Sequence, residues 1–153
     1  MAGRWLADGR IAVIGSSAPA PARLRFFDGR GEETTALDLP GPIGSRVAWG
    51  GQAGDIVAIG LEKWQDIRER RKGEDDSKYS TVLVDVAAGR VLRQEVDLTP
   101  AWSWPWWEGG SEAAEATRGV RSLAVSLLAG SKGGLFLVDP QTGDRRVVIP
   151  PPS

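Results

Sequence analysis

Gly134-Leu-Phe-Leu-Val-Asp139-Pro-Gln-Thr-Gly143-Asp-Arg-Arg-Val-Val-Ile149 reads as strand, tight turn, strand. Leu135 to Val138 form a short apolar run bounded by turn residues, the pattern of a strand buried on both faces. The turn follows from its chemistry. Asp139 bonds its own backbone, Pro140 fixes φ, and Gly143 tolerates a positive φ.

Weaker copies of this unit occur twice upstream. In the first cycle, strands are expected at Arg4-Trp5-Leu6, 10–15, 23–28 and 35–39, with turns at Ala7-Asp8-Gly9 and Gly29 to Gly31. After a Gly/Pro linker at 41–45, the second cycle places strands at 46–49, 55–61, 80–85 and 91–98. Turns are expected at Gly50 to Gly54 and Val86 to Gly89, and a charged insertion at 62–78. The third opens at Ala101-Trp102-Ser103, carries a tryptophan-rich insertion to about Arg118, and continues through a strand at 120–128 into the organising stretch.

Three landmarks keep step. Trp5, Trp49 and Trp102 lie in the first strand of each cycle; Asp28, Asp85 and Asp139 end the third; Leu39-Pro40, Leu98-Thr-Pro100 and Ile149-Pro150 end the fourth. The period is roughly 45–55 residues, the length of one four-stranded propeller blade. Asp85 to Gly89 repeats the spacing of Asp139 to Gly143, while the first copy is looser. Blades are therefore expected at about 3–40, 46–100 and 101–150 of a single all-β domain.

Trp5-Leu-Ala-Asp-Gly-Arg-Ile-Ala-Val, Ala101-Trp-Ser and Leu137-Val-Asp-Pro-Gln-Thr-Gly143 resemble β-propeller blades of the TolB-like and neighbouring WD-repeat or quinoprotein-type families. In those blades a Trp-Ser-Pro-Asp-Gly-Arg-like turn precedes the second strand and an Asp-x-x-Thr-Gly turn joins the outer two. The motifs are short, and they specify the blade better than the subfamily. Two departures stand out: Gly-Gly-Gln-Ala-Gly after Trp49, and an insertion where the third blade's Asp-Gly turn belongs. A plain antiparallel sandwich shares the short strands but does not require three phased copies.

Propellers close with about four to eight blades, so three leave two apolar flanks open. The resemblance thus implies either a piece of a longer ring or self-association. Two copies on a two-fold axis would supply six blades through equivalent contacts.

Composition narrows the chemistry. The chain has 153 residues, a formal net charge of −1, no cysteine and no histidine. The charge argues against a nucleic-acid binder. Thiolate catalysis, disulfides, Ser-His-Asp triads and ordinary zinc sites are excluded. No run approaches the ~18 apolar residues of a membrane span, so no membrane insertion is expected. No signal peptide is visible, and a complete chain would be cytoplasmic. No cofactor is expected either. Ser16-Ser17-Ala18 and Pro19 break the dinucleotide pattern after 10–15, and Gly130 to Gly134 lacks the Walker spacing.

Two patches are the binding candidates. Trp64, Arg68, Arg70 and Arg71, in the loop between second and third strands, suit a phosphate or a carboxylate-rich partner. Glu74, Asp75 and Asp76 neutralise that cluster, and an ordinary solvated loop explains it better, because mixed charge runs are common in flexible segments. Trp104, Trp106 and Trp107, around Pro105, offer a large rigid anchor for a protein or a sugar, or else packing between blades. The expectation is a non-catalytic binding or scaffold module whose partner is itself or another protein. The rival is a carbohydrate- or small-ligand-binding propeller, lectin-like or hydrolase-like, with its site in the central channel.

Overall fold

The fold is a computed structural model that describes residues 2–15, 21–41, 45–63, 79–100, 123–130 and 133–152. It is all-β: among the described residues, twelve strands form three four-stranded antiparallel sheets, consistent with blades. The first sheet orders β1 (Ala2–Trp5), β2 (Ile11–Gly15), β3 (Arg23–Phe27) and β4 (Glu33–Asp38). The second orders β5 (Ser45–Ala53), β6 (Ile56–Lys63), β7 (Tyr79–Asp85) and β8 (Arg90–Val96). The third pairs β9 (Leu98–Pro100), β10 (Leu127–Gly130), β11 (Leu135–Val138) and β12 (Arg145–Ile149), again in chain order. Among the described residues no helix is long and apolar enough to cross a membrane.

The phased aspartates do what their chemistry dictates. Asp85 and Asp139 each accept at their own carbonyl from the N–H four residues on, at Gly89 (2.9 Å) and Gly143 (2.8 Å). Their carboxylates take further N–H groups of the turn, from Ala88 and from Gln141 and Thr142. In the looser first copy the bond spans three residues, Gly31 to Asp28. All three glycines have positive φ, 83°, 67° and 79° at Gly31, Gly89 and Gly143, a region glycine enters without the Cβ clash. Each fourth strand also carries one extra residue in its pairing with the third, so the repeat extends to a bulge.

Period-two alternation then builds the core. Ala12, Ile14, Leu24 and Phe26 point from the first sheet into one cluster with Val57, Ile59, Leu61, Val82 and Val84 of the second. The opposite face of the second sheet offers Ala58, Gly60, Thr81 and Leu83, mostly small, and meets the third sheet through Leu98, Pro100 and their neighbours. Thr81 Oγ1 donates to the Leu98 carbonyl at 2.8 Å, stitching the two sheets together.

Three local readings differ from expectation. The strand expected over 91–98 stops at Val96, because Asp97 sits at φ 66° and turns the chain. Leu98-Thr-Pro100 thereby becomes the first strand of the third sheet, a place expected for 101–103, which lie outside the described residues. A strand was expected over 120–128, yet Leu123–Ser126 is a helical turn, α1. That turn carries Val125 onto Ala58 and Leu83 of the second sheet before Leu127 begins β10. The Gly50 to Gly54 turn is smaller than expected: β5 runs on through an irregularity between Trp49 and Gln52 to a two-residue hairpin, Gly54-Asp55.

Asp97 supports a direct prediction. Aspartate tolerates the left-handed region and valine does not, by about 1–2 kcal/mol. Asp97→Val is therefore expected to lower the denaturation midpoint clearly, and Asp97→Gly to lower it less. Equal midpoints for the two variants would refute the left-handed assignment.

Candidate functional site

The sequence candidates Trp64, Arg68, Arg70, Arg71, Trp104, Trp106 and Trp107 all lie outside the described residues. Two features within them have the makings of a site.

The first is the outward flank of the first sheet. Strand register assigns its rows: Trp5, Ile11, Phe27 and Glu33; Gly3, Val13, Arg25 and Ala36; Gly15, Arg23 and Asp38. The half nearer β1 is apolar and the half nearer β4 is charged. Ile11, Val13 and Phe27 are half-buried, whereas Trp5 is 71% exposed. Arg25 forks onto Glu33 through two bonds of 3.0 and 2.9 Å and lies over the Phe27 ring, and Arg23 Nε donates to Asp38 at 3.0 Å. The hydrogen bond from Arg25 holds the Glu33 carboxyl below the usual carboxylate range and raises the guanidinium in turn.

Trp5 and Trp49 make an instructive pair. Trp49 turns from the second sheet onto the first, joins the shared core, and has the Arg4 guanidinium 5.6 Å from its ring centre. Trp5 turns away from the second sheet. Each indole thus faces the place that a preceding sheet would occupy. For Trp49 that place is filled.

The Trp49 indole N–H is buried without a hydrogen-bond partner. Such a donor costs free energy in the folded state, which offsets the packing of the larger ring. Trp49→Phe is expected to alter stability by less than about 1 kcal/mol. Trp49→Ala, which removes the whole ring, is expected to cost about 3–5 kcal/mol. Denaturant titration compares them; a large loss in the phenylalanine variant would mean that the N–H is satisfied after all.

The second feature is a cleft of about 490 Å³ at the turn end of the second and third sheets. Ile56, Ser126, Leu137, Pro140, Asp144 and Arg146 line it among others. Its volume falls within the range of small-molecule sites, about 300–1,000 Å³. The Asp139 carboxylate is engaged by its own turn, and Arg145 by Glu95, so the wall is a largely self-satisfied surface.

Behind it lies a triad that sequence reading missed. Glu95, with its side chain 5% exposed, accepts from Arg93 Nε at 3.0 Å and from Arg145 Nη2 at 2.6 Å. Arg93 and Glu95 share one strand; Arg145 reaches in from the third sheet, fifty residues away. Alternation along β8 places Arg93 and Glu95 on one face but gives no sign that the face is covered. Among the described residues, no group of three or more acidic side chains could hold a metal ion.

Compared with known protein families, with curated proteins and with solved structures, the chain has no match.

Proposed function

We propose that this chain is a non-catalytic binding and scaffold module of propeller-type blades that covers its open flank by self-association. One observation carries the reading: Trp5 is 71% exposed at a position whose repeat equivalent, Trp49, is packed beneath another sheet. A large indole on a partly apolar sheet face is the usual mark of an interaction surface. The TolB-like or WD-repeat-like kinship belongs to this reading, resting on the phased Trp and Asp-Gly landmarks and on the three four-stranded sheets.

Light scattering after size exclusion tests it. The expected result is twice the mass of the chain at micromolar concentration. A monomer at every accessible concentration overturns the reading.

The cleft at the second and third sheets supports a second reading, a small-ligand or carbohydrate binder. Its site would be this cleft rather than a central channel. Glycan and small-molecule screening tests it, with binding lost in Asp144→Ala as the supporting result.

A further inference from the structure

We infer that the cleft at the turn end of the second and third sheets is a site for a small zwitterion with an aliphatic body, the chemistry of a free amino acid or a dipeptide. This deepens the proposed small-ligand reading of the cleft and rests on it.

The lining is balanced in charge. Asp139 and Asp144 contribute two carboxylates, and Arg145 and Arg146 two guanidiniums. A simple anion would meet both carboxylates, and a simple cation both guanidiniums. A ligand that carries one charge of each sign avoids either penalty.

Two of these groups still have something to offer. The Asp139 carboxylate is engaged by its own turn, accepting from the N–H groups of Gln141 at 2.8 Å and Thr142 at 3.3 Å. Asp144 differs. Its N–H donates to Thr142 Oγ1 and its carbonyl accepts from the Asp139 N–H, but its carboxylate has no partner among the described residues. The neighbouring Arg145 does not pair with it, because Nη2 is drawn to Glu95 of the second sheet at 2.6 Å. Glu95 also takes Arg93 Nε, so two guanidiniums share one carboxylate and a positive charge is left in excess. Nε and Nη1 of Arg145 bond nothing among the described residues, which leaves donors for a ligand carboxylate.

A neutral polyol would bond the same groups while covering a carboxylate and a guanidinium without compensating either charge. An ammonium at Asp144 and a carboxylate at Arg145 compensate both. Ile56, Leu137 and Pro140 add an apolar wall for the aliphatic part.

Titration followed through the amide signals of the chain by NMR tests the site, with leucine as the probe and three analogues beside it. Leucinamide lacks the carboxylate, N-acetylleucine lacks the ammonium, and methyl glucoside is neutral. Leucine is expected to shift the amides of Gln141, Asp144 and Arg145. Each half-charged analogue is expected to bind about tenfold more weakly or worse, the factor that a lost charged hydrogen bond carries. Asp144→Asn removes a carboxylate with no partner to lose, so it is expected to keep the denaturation midpoint of the unaltered chain. It is also expected to lose the preference for leucine over N-acetylleucine and to keep the one over leucinamide. Arg145→Met is expected to show the reverse.

Either half-charged analogue binding the unaltered chain as tightly as leucine would overturn the zwitterion. So would Asp144→Asn with both preferences intact. Shifts from methyl glucoside alone would overturn it too, while leaving a ligand cleft standing. Silence from all four probes would overturn the zwitterion, and the wider screen, read at the same amides, decides the cleft separately.

Discussion

Gly50→Val is expected to lower stability by about 3 kcal/mol or more, beyond the usual 1–3 kcal/mol of an overpacked core site. A Cβ at this position would lie 2.7 Å from Pro100 Cβ and 2.9 Å from both the Ala58 carbonyl oxygen and Pro100 Cγ. None of these atoms is the end of a flexible side chain. Pro100 belongs to β9, which pairs with β10 through only three residues, and its ring also covers Gly60, where a Cβ would stand 3.1 Å from Pro100 Cδ. The second and third sheets therefore approach through two glycines and one proline ring. Relief requires moving β9, and with it the bond from Thr81 to Leu98. Gly60→Ala is expected to do less harm, because ring pucker can yield a few tenths of an ångström. Gly15→Ala, with open space around it, serves as the control. Denaturant midpoints decide the matter: Gly50→Val matching Gly15→Ala would mean that Pro100 does not pack where the fold puts it.

The Arg93-Glu95-Arg145 triad yields the other large effect. Replacing both arginines by methionine leaves a nearly buried carboxylate unpaired, and breaking such a pair costs about 3–5 kcal/mol. Either single replacement is expected to cost less, since the remaining guanidinium still bonds Glu95. Adding Glu95→Leu to the double variant removes the stranded charge and is expected to recover most of the loss. The three changes are thus strongly non-additive. Thermal or chemical denaturation of the single, double and triple variants measures this directly. If the triple variant proved as unstable as the double, the damage would lie in lost packing, and the electrostatic account would be wrong. At Gly143 a Cβ would meet only the movable guanidinium of Arg93, so it is the backbone at φ 79°, rather than that contact, that favours glycine there.

The candidate site was only partly legible in the chain. Trp5 and Trp49 are equivalent in sequence, and their phasing is visible without coordinates. Their environments differ because the first sheet packs on Trp49 while Trp5 stands 71% exposed, a fact of tertiary packing that no local pattern encodes. Glu95 is likewise one acidic residue in an alternating strand until the third sheet covers it. The sequence candidates in the 62–78 and 101–118 stretches rested on composition, which shows chemical capacity without placing it.

Local chemistry sufficed for the turns and most strands. Asp85 to Gly89 and Asp139 to Gly143 close by bonds within five residues, and alternation in Ala12, Ile14, Leu24 and Phe26 marks a buried face, because both effects act at short range. Only the tertiary structure decided where one sheet ends and the next begins. Leu98-Thr-Pro100 reads equally well as the last residues of a strand or the first of another, and the choice fell to Asp97 at φ 66° and to the surface of Gly50 and Gly60 that receives Pro100. Val125 was in the same position: its apolar neighbours favour a strand, but a helical turn lets it reach Ala58 and Leu83. Contacts distant along the chain outweigh propensities of a few tenths of a kcal/mol, roughly, and so settle what short-range preference leaves open.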